Sequence, residues 1–246
     1  MKIKYKDIIA SCYSNGYSFI PEPDAYEICA EFAIPHPRFA FVRTKKECLH
    51  AAEEIGYPVV IKIVSPEVIH KSEVGGVILD LRTPKELDEG FDQLMKNVRE
   101  KAGDVPISGL LVQQSMPAGV EVAVGGANNP QFGPVVMFGS GGILIEVFKD
   151  VSFRLAPLDQ EEARRQLEET MAFEILKGVR GRPACDLEAI CKVIVNTGRL
   201  LTDIPQIEEI DFNPVQAFPG GCFVLDARIK LKNQKQEAAD EDKKLL

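Results

Sequence analysis

His70 stands in the run Val68-Ile69-His70-Lys71-Ser72-Glu73-Val74-Gly75-Gly76, a polar loop closed by two glycines. Just before it comes Pro58-Val59-Val60-Ile61-Lys62-Ile63-Val64, a β-rich run interrupted by one lysine. A neutral imidazole is a competent nucleophile near pH 7, and a phosphoramidate keeps enough transfer potential to pass phosphate onward. Lys62 shares a strand face with Val60 and Val64, where a lone ammonium is costly to bury unless an anion meets it. A phosphoryl group is one such anion; a lysine whose stem packs and whose head reaches water is the plainer alternative. For His70 the plainer alternative is a loop histidine bonded to backbone. His36, between two prolines, and His50, on an amphipathic run, lack the glycine mobility and are assigned no chemistry.

Two other constellations could serve phosphate chemistry. Phe138-Gly139-Ser140-Gly141-Gly142 joins two strands, and serial glycines let backbone N–H groups approach an anion. It is neither a P-loop nor a dinucleotide fingerprint, because the lysine-serine ending and the strand-to-helix context are missing. After it, Asp150, Ser152 and Arg154 share one strand face, opposite Val151, Phe153 and Leu155. The plain reading is a solvated outer face; toward a cleft, Arg154 would clamp phosphate and Glu146 would orient His70 or a metal-bound water. In Glu209-Ile210-Asp211-Phe212-Asn213-Pro214, Asp211 and Asn213 lie two apart on a strand, and Asp226 could meet them across a hairpin. Few protein oxygens suit Mg²⁺, which keeps waters and takes its remaining ligands from nucleotide phosphates. An Asp/Asn turn ahead of proline is the alternative.

The elements that must position these groups alternate. Helices are expected over 24–32 and 44–55, the second opened by the capping box Thr44-Lys45-Lys46-Glu47. A strand over Val59–Val64, the histidine loop and a strand over Val77–Leu81 follow. Thr83-Pro84-Lys85-Glu86 opens a helix to about Lys101. Strands are then expected over 110–114, 121–125, 134–138, 143–147 and Val151–Leu155. Asp159 and Asp186 start helices, the latter burying a stripe of Leu187, Ile190, Ile194, Thr197 and Leu201. Strands over 207–212 and 222–227 close the fold. The domain reading is an N-terminal extension over 1–20, a small lobe over 21–105, a large lobe over 106–230 and a charged tail over 231–246.

The 246 residues can bury a sizeable core, and 45% hydrophobic with 27% charged residues is ordinary for a globular protein. A net charge of −8 argues against a nucleic-acid binder or a basic membrane-surface protein. The six cysteines are scattered without a C-x-x-C pair, and Cys29, Cys48 and Cys191 fall on helices as buried thiols. With no signal peptide or membrane span visible, a cytoplasmic protein is expected.

Together these residues resemble an ATP-grasp ligase, and more narrowly the β subunit of ADP-forming acetyl-CoA synthetase, also called acyl-CoA synthetase (NDP-forming). The resemblance runs from about Pro21 to Leu231. It rests on Gly56-Tyr57-Pro58-Val59-Val60-Ile61-Lys62, on the segment from Ser65 to Val77, on Phe132-Gly133-Pro134-Val135-Val136-Met137-Phe138-Gly139, on Phe153-Arg154-Leu155-Ala156-Pro157-Leu158 and on Glu209-Ile210-Asp211-Phe212-Asn213-Pro214. It implies an α/β and α+β ATP-grasp fold of two lobes with the nucleotide cleft between them. It also implies a split of labour: an α subunit binds acyl-CoA, and the β subunit accepts phosphate on its loop histidine and delivers it to ADP. Carried over, His70 is the phosphorylated carrier and Lys62 contacts nucleotide phosphate. Asp211, Asn213 and Asp226 match the Mg²⁺ ligands, although Asp211 stands where many ATP-grasp enzymes have glutamate. Gln113-Gln114-Ser115-Met116 matches the adenine hinge, read largely through backbone. Glu121, Glu146 and Arg154 match polar cleft positions, and Gly141 and Gly142 fall in the glycine-rich cofactor loop.

No CoA-binding domain precedes Pro21, so an obligate complex with α, of α2β2 form, is implied, with no nucleic acid and no membrane. Two rivals predict different behaviour. A single-chain ligase making an acyl phosphate directly would carry no lasting protein phosphate, and a nucleotide-binding regulatory subunit would bind MgATP without turnover. The acyl group, the choice between ADP/ATP and GDP/GTP, the direction in the cell and the phosphorylated imidazole nitrogen stay open at this level.

Overall fold

The computed structural model describes residues 5–141, 149–179 and 181–233. Two compact units are present: a smaller one of Pro21–Pro23 with Pro37–Pro117, and a larger one of the remaining residues.

The smaller unit is built on a sheet of order β1-β4-β2-β3, where β1 is Phe39–Val42, β2 Val59–Val64, β3 Val77–Leu81 and β4 Gly109–Gln114. Helices α3 (Lys45–Ile55) and α4 (Pro84–Ala102) supply Cys48, Ala52, Leu87, Leu94 and Val98 to a core with Val59, Ile61 and Ile63. The box at Thr44 forms as expected: Glu47 N donates to Thr44 Oγ1 at 3.2 Å, and Thr44 N donates to Glu47 Oε2 at 3.2 Å. At α4 only half of the box forms. Glu86 N donates to Thr83 Oγ1 at 3.1 Å, while the Glu86 carboxylate accepts from Arg82 N, one residue upstream of the expected donor.

The expected boundary at 105/106 shifts to Pro117, because β4 is laddered between β1 and β2 and cannot be separated from their sheet. Helix α2 spans Glu22–Glu31, two residues earlier than expected. Pro23 sits in its first turn, where the N–H that proline lacks would have no helical partner. The shift makes Glu22 the first residue of the helix.

The larger unit holds a sheet of order β10-β8-β5-β6-β7, with β9 also on β8. Here β5 is Val120–Asn129, β6 Gly133–Ser140, β7 Val151–Leu155, β8 Ile207–Phe218, β9 Gly221–Val224 and β10 Ala227–Leu231. Helices α5 (Gln160–Glu168), α6 (Met171–Leu176) and α7 (Leu187–Asp203) belong to it, α5 and α7 opening on Asp159 and Asp186 side-chain caps. Ile190, Ile194, Thr197 and Leu201 of α7 are buried as the spacing predicts, with Leu187 half-buried. A Cβ at Gly126 would lie 2.6 Å from Leu201, so β5 and α7 approach closely because that residue is glycine.

Of the residues expected as a separate extension, 5–20 are part of this unit. Helix α1 (Tyr5–Ser14) buries Ile8, Ile9 and Cys12, and Ile20 N donates to Ile229 O at 2.9 Å along the β10 edge. The expected strand over 222–227 is split into β9 and β10, and the expected strand over 143–147 lies wholly outside the described residues. All six cysteines are buried and unpaired.

Candidate functional site

In the smaller unit, β2 is buried along its whole length, and Lys62 on it is buried with it. Its Nζ donates to Glu22 Oε1 at 2.8 Å, and Lys71 Nζ lies 2.8 Å from Glu22 Oε2. All three side chains are buried. Burial alone would push the Glu22 carboxyl up, but the two ammonium groups outweigh it and hold the carboxyl well below the usual range. The anion that Lys62 requires is therefore supplied, in this state, by a carboxylate 40 positions away in sequence.

His70 follows on the loop, 63% of its side chain exposed, with Nδ1 3.9 Å from Glu73 Oε1, beyond hydrogen-bond reach. Lys71, next to it, is inward. The loop is drawn back to β2 by Gly76 N donating to Lys71 O at 2.7 Å and Ile63 N donating to Gly76 O at 2.9 Å. The glycine pair is not slack chain. Gly75 adopts φ +66°, and a Cβ on Gly76 would lie 2.8 Å from the Ile63 side chain. Glycine is required there for close approach.

The four residues expected at an adenine hinge, Gln113 to Met116, lie at the end of β4 and just past it. Gln113 is buried, while Gln114, Ser115 and Met116 are half-buried. Gln114 N donates to Arg38 O at 2.8 Å and Ser115 N to Pro58 O at 3.0 Å. Those two N–H groups are engaged within the unit, so a base recognised at this segment would use other groups.

The acidic set falls in the larger unit. On β8, Ile210 and Phe212 are buried, whereas Asp211 and Asn213 are half-buried on the opposite face. Ala227 faces Phe212 on β10, and Val224 faces Val215 on β9, so the register is unchanged across the break between those strands. Asp226 therefore falls opposite Asn213, as a neighbour on the same face. The break has a local cause: Pro214 has no N–H to give the ladder, although its carbonyl accepts from Leu225 N at 2.9 Å. Tyr26 Oη donates to Leu225 O at 2.7 Å, and Val224 N donates to Pro35 O at 2.9 Å, fixing the bend.

Arg228 faces Asp211 across the ladder, and its Nη2 donates to Asp226 Oδ2 at 3.5 Å. Among the described residues no group of three or more His, Cys, Asp or Glu side chains could hold a metal. Two carboxylates and one amide fit only a hard cation that also takes water and phosphate oxygens.

The face of β7 is opposite to the plain reading. Asp150, ahead of the strand, and Ser152 are buried, whereas Phe153 and Leu155 are 58% and 57% exposed. Asp150 caps α6, accepting from Met171 N at 2.8 Å and Ala172 N at 3.0 Å. Arg154 is gripped by Glu169 through two bonds of 2.6 and 3.0 Å and by Glu162 at 3.3 Å. The Arg154 bonds in turn hold the Glu169 carboxyl below its ordinary range. Gly141 is no anion cradle here: its N–H donates to Glu121 O at 3.0 Å, and a Cβ would meet the β5 backbone at 2.7 Å. Glu121 itself is exposed on β5, opposite Gln216. Glu146 and Gly142 lie outside the described residues.

Glu22, Lys71, Tyr26 and Arg228 were not singled out from sequence. Only Lys71, beside the histidine, carried a usable hint. His36 stacks on Tyr26 with ring centroids 5.0 Å apart, and His50 Nε2 lies 3.6 Å from Glu54 Oε1 on the surface.

An ATP-grasp domain model matches residues 11–231. The β subunit of acetate–CoA ligase (ADP-forming) I from Pyrococcus furiosus is 42% identical over 228 residues, 93% of this chain and 98% of that one. Acetate–CoA ligase (ADP-forming) I of Archaeoglobus fulgidus is 38% identical over 93% of this chain, which spans 33% of that protein. Acetyl-coenzyme A synthetase 1 of Ca. Korarchaeum cryptofilum, with coenzyme A and Ca-AMPCP, superposes with TM-score 0.91 at 40% identity, over 93% of this chain and 100% of that chain. A second structure of that protein has a phosphorylated phosphohistidine segment in a site I orientation (TM-score 0.85, 38% identity, the same coverage). In a third, with Mg-AMPPCP, the segment points towards the nucleotide-binding site (TM-score 0.81, 39% identity, the same coverage). The chain thus belongs to the ATP-grasp family, among the β subunits of ADP-forming acetate–CoA ligases.

Proposed function

We infer that this chain is the nucleotide-binding β subunit of an ADP-forming acyl-CoA synthetase and that His70 carries phosphate between an α-subunit site and the nucleotide. The net reaction is acyl-CoA + ADP + phosphate to acid + CoA + ATP, and it is reversible. The observation that carries this reading is the exposed His70 imidazole on a loop whose next residue, Lys71, shares a buried carboxylate with Lys62. In the ATP-consuming direction an imidazole nitrogen attacks the γ-phosphorus, a P–N bond forms, and the P–O bond to ADP breaks with its electron pair leaving on ADP. Delivery to ADP is the reverse.

Such transfer needs position and neutralised charge more than proton shuttling. Lys62 supplies positive charge to a nucleotide phosphate, and Gln113 to Met116 border the base. Asp211, Asn213 and Asp226 would hold Mg²⁺, which when bound neutralises phosphate oxygens. Arg154 serves phosphate only by exchanging its carboxylate partners. The subunit works with α, in an α2β2 assembly, in the cytoplasm and away from membrane and nucleic acid. Among the described residues no helix is long and apolar enough to cross a membrane.

The test is transfer of labelled γ-phosphate from MgATP to the chain, with and without its α subunit, in wild type and His70→Ala. Acid-labile, base-stable label lost in the variant is expected. No label with nucleotide binding intact would overturn the carrier mechanism in favour of a direct acyl-phosphate ligase.

A further inference from the structure

We propose that Glu22 is a positioning residue for the phosphate-carrying loop: through Lys71 it docks the loop on the Glu22 carboxylate, with His70 held at the edge of the buried cluster. This rests on the carrier reading of His70. Lys71 is pinned twice, by its ammonium 2.8 Å from Glu22 Oε2 and by its carbonyl accepting from Gly76 N at 2.7 Å. Consecutive Cα atoms are about 3.8 Å apart, so fixing Lys71 fixes the backbone of His70 while its imidazole stays exposed. The other oxygen of the same carboxylate orients Lys62 at 2.8 Å. One buried anion thus sets both the carrier loop and the lysine assigned to nucleotide phosphate. A loop that leaves this position must withdraw a buried ammonium from a buried carboxylate, and the dock therefore governs how often His70 departs.

The experiment uses the full chain with its α subunit. Hydrogen exchange of the 65–76 segment is compared in wild type, Glu22→Gln, Lys71→Met, the double variant and Lys71→Arg, alongside the rate of His70 labelling from γ-labelled MgATP. Glu22→Gln and Lys71→Met should each raise exchange in that segment about tenfold and slow labelling. The double variant should add little to either single change, and Lys71→Arg should restore much of both. Unchanged exchange in the segment, or a rise spread evenly over the chain, overturns the dock, the latter by marking Glu22 as a general stabiliser. Failure of the carrier reading is seen separately, in wild type: absence of acid-labile label on His70 overturns that reading and the catalytic use of the dock, whatever the exchange shows.

Discussion

Lys71 Nζ lies 2.8 Å from Glu22 Oε2, while His70, one residue before it, keeps most of its side chain in solvent. A buried anchor and an exposed carrier are adjacent in the chain. The anchor has an energetic order that can be measured. Glu22→Gln leaves two buried ammonium groups without their carboxylate, whereas Lys62→Met leaves Glu22 paired with Lys71. Breaking a buried pair by removing one partner costs about 3–5 kcal/mol. Urea unfolding at pH 7 should place Glu22→Gln about 3 kcal/mol below wild type, and Lys62→Met clearly less affected. The opposite order would show that Lys71 is not a true partner of Glu22.

The same cluster fixes a pH dependence. Its folded carboxyl is held below the usual range, burial raising it and Lys62 and Lys71 together lowering it further. The stabilisation is therefore present above the unfolded value of about 4.3 and is lost as pH falls from there toward the folded value. Urea midpoints between pH 7 and pH 3 should fall in wild type more steeply than in Glu22→Gln. Parallel curves would assign the acid response to other carboxylates.

Local pattern made much of this legible and tertiary pairing did not. β2, β3 and β7 have the bounds that the alternation predicts, and the caps at Thr44, Asp159 and Asp186 form as the short motifs require. For β7 the alternation holds, while the plain reading of its polar face as solvated does not. Period two says which residues share a face, not which face is covered, and α5 lies over the polar one, with Ser152 Oγ donating to Gln166 O at 2.8 Å. Glu22 was invisible because an ion pair across 40 positions leaves no periodic trace, and Pro23 drew the expected helix start past it. Asp226 could be placed against Asn213 because a hairpin register is local information. Arg228, two residues further along, is a cation that a pattern of acidic residues does not disclose.

Arg154 offers a choice between bracing and phosphate binding. Glu169 holds it through two bonds, yet Glu169 is more than half exposed, so the pair stabilises by about 0.2–1 kcal/mol at most. Glu169→Gln should therefore leave the unfolding midpoint nearly unchanged. If Arg154 turns to phosphate, Glu169→Gln should hold or raise the rate of His70 labelling, while Arg154→Gln lowers it about tenfold or more. Equal losses in both variants would make Arg154 a brace for α5 alone.

The acidic face should declare itself in magnesium dependence. Tyr26 Oη reaches Leu225 O at 2.7 Å and so holds the bend that presents Asp226, without belonging to the donor set. Asp211→Asn and Asp226→Asn should each raise the Mg²⁺ concentration needed for half-maximal labelling about 10–100-fold. Tyr26→Phe should raise it at the lower end of that range, the magnitude usual for an outer support of a metal ligand. If Asp226→Asn leaves the requirement untouched, Asp226 serves Arg228 rather than the cation.

Gly76 separates a hinge from a close contact. If the glycine pair served only to loosen the loop, Gly76→Ala would slow its motion and little else. The structure gives a steric reason instead: the new methyl would meet Ile63 Cγ1 at 2.8 Å and Cδ1 at 2.9 Å, with Lys71 O at 3.1 Å. Overpacking of this kind costs about 1–3 kcal/mol, and here it falls on the backbone that carries the Lys71 carbonyl. Gly76→Ala should therefore loosen the loop, raising exchange over 65–76 rather than lowering it. Trimming the obstacle tests the cause, since Ile63→Val removes Cδ1 but leaves the branch at Cβ. The pair Gly76→Ala/Ile63→Val should recover part of the lost stability that Gly76→Ala alone shows in urea. Gly75→Ala should not be recovered by that change, because its strain comes from φ +66° and from Asn97. If Ile63→Val rescues neither variant, Cδ1 is not what keeps residue 76 small, and Cγ1 of Ile63 and the carbonyl of Lys71 are the contacts that remain.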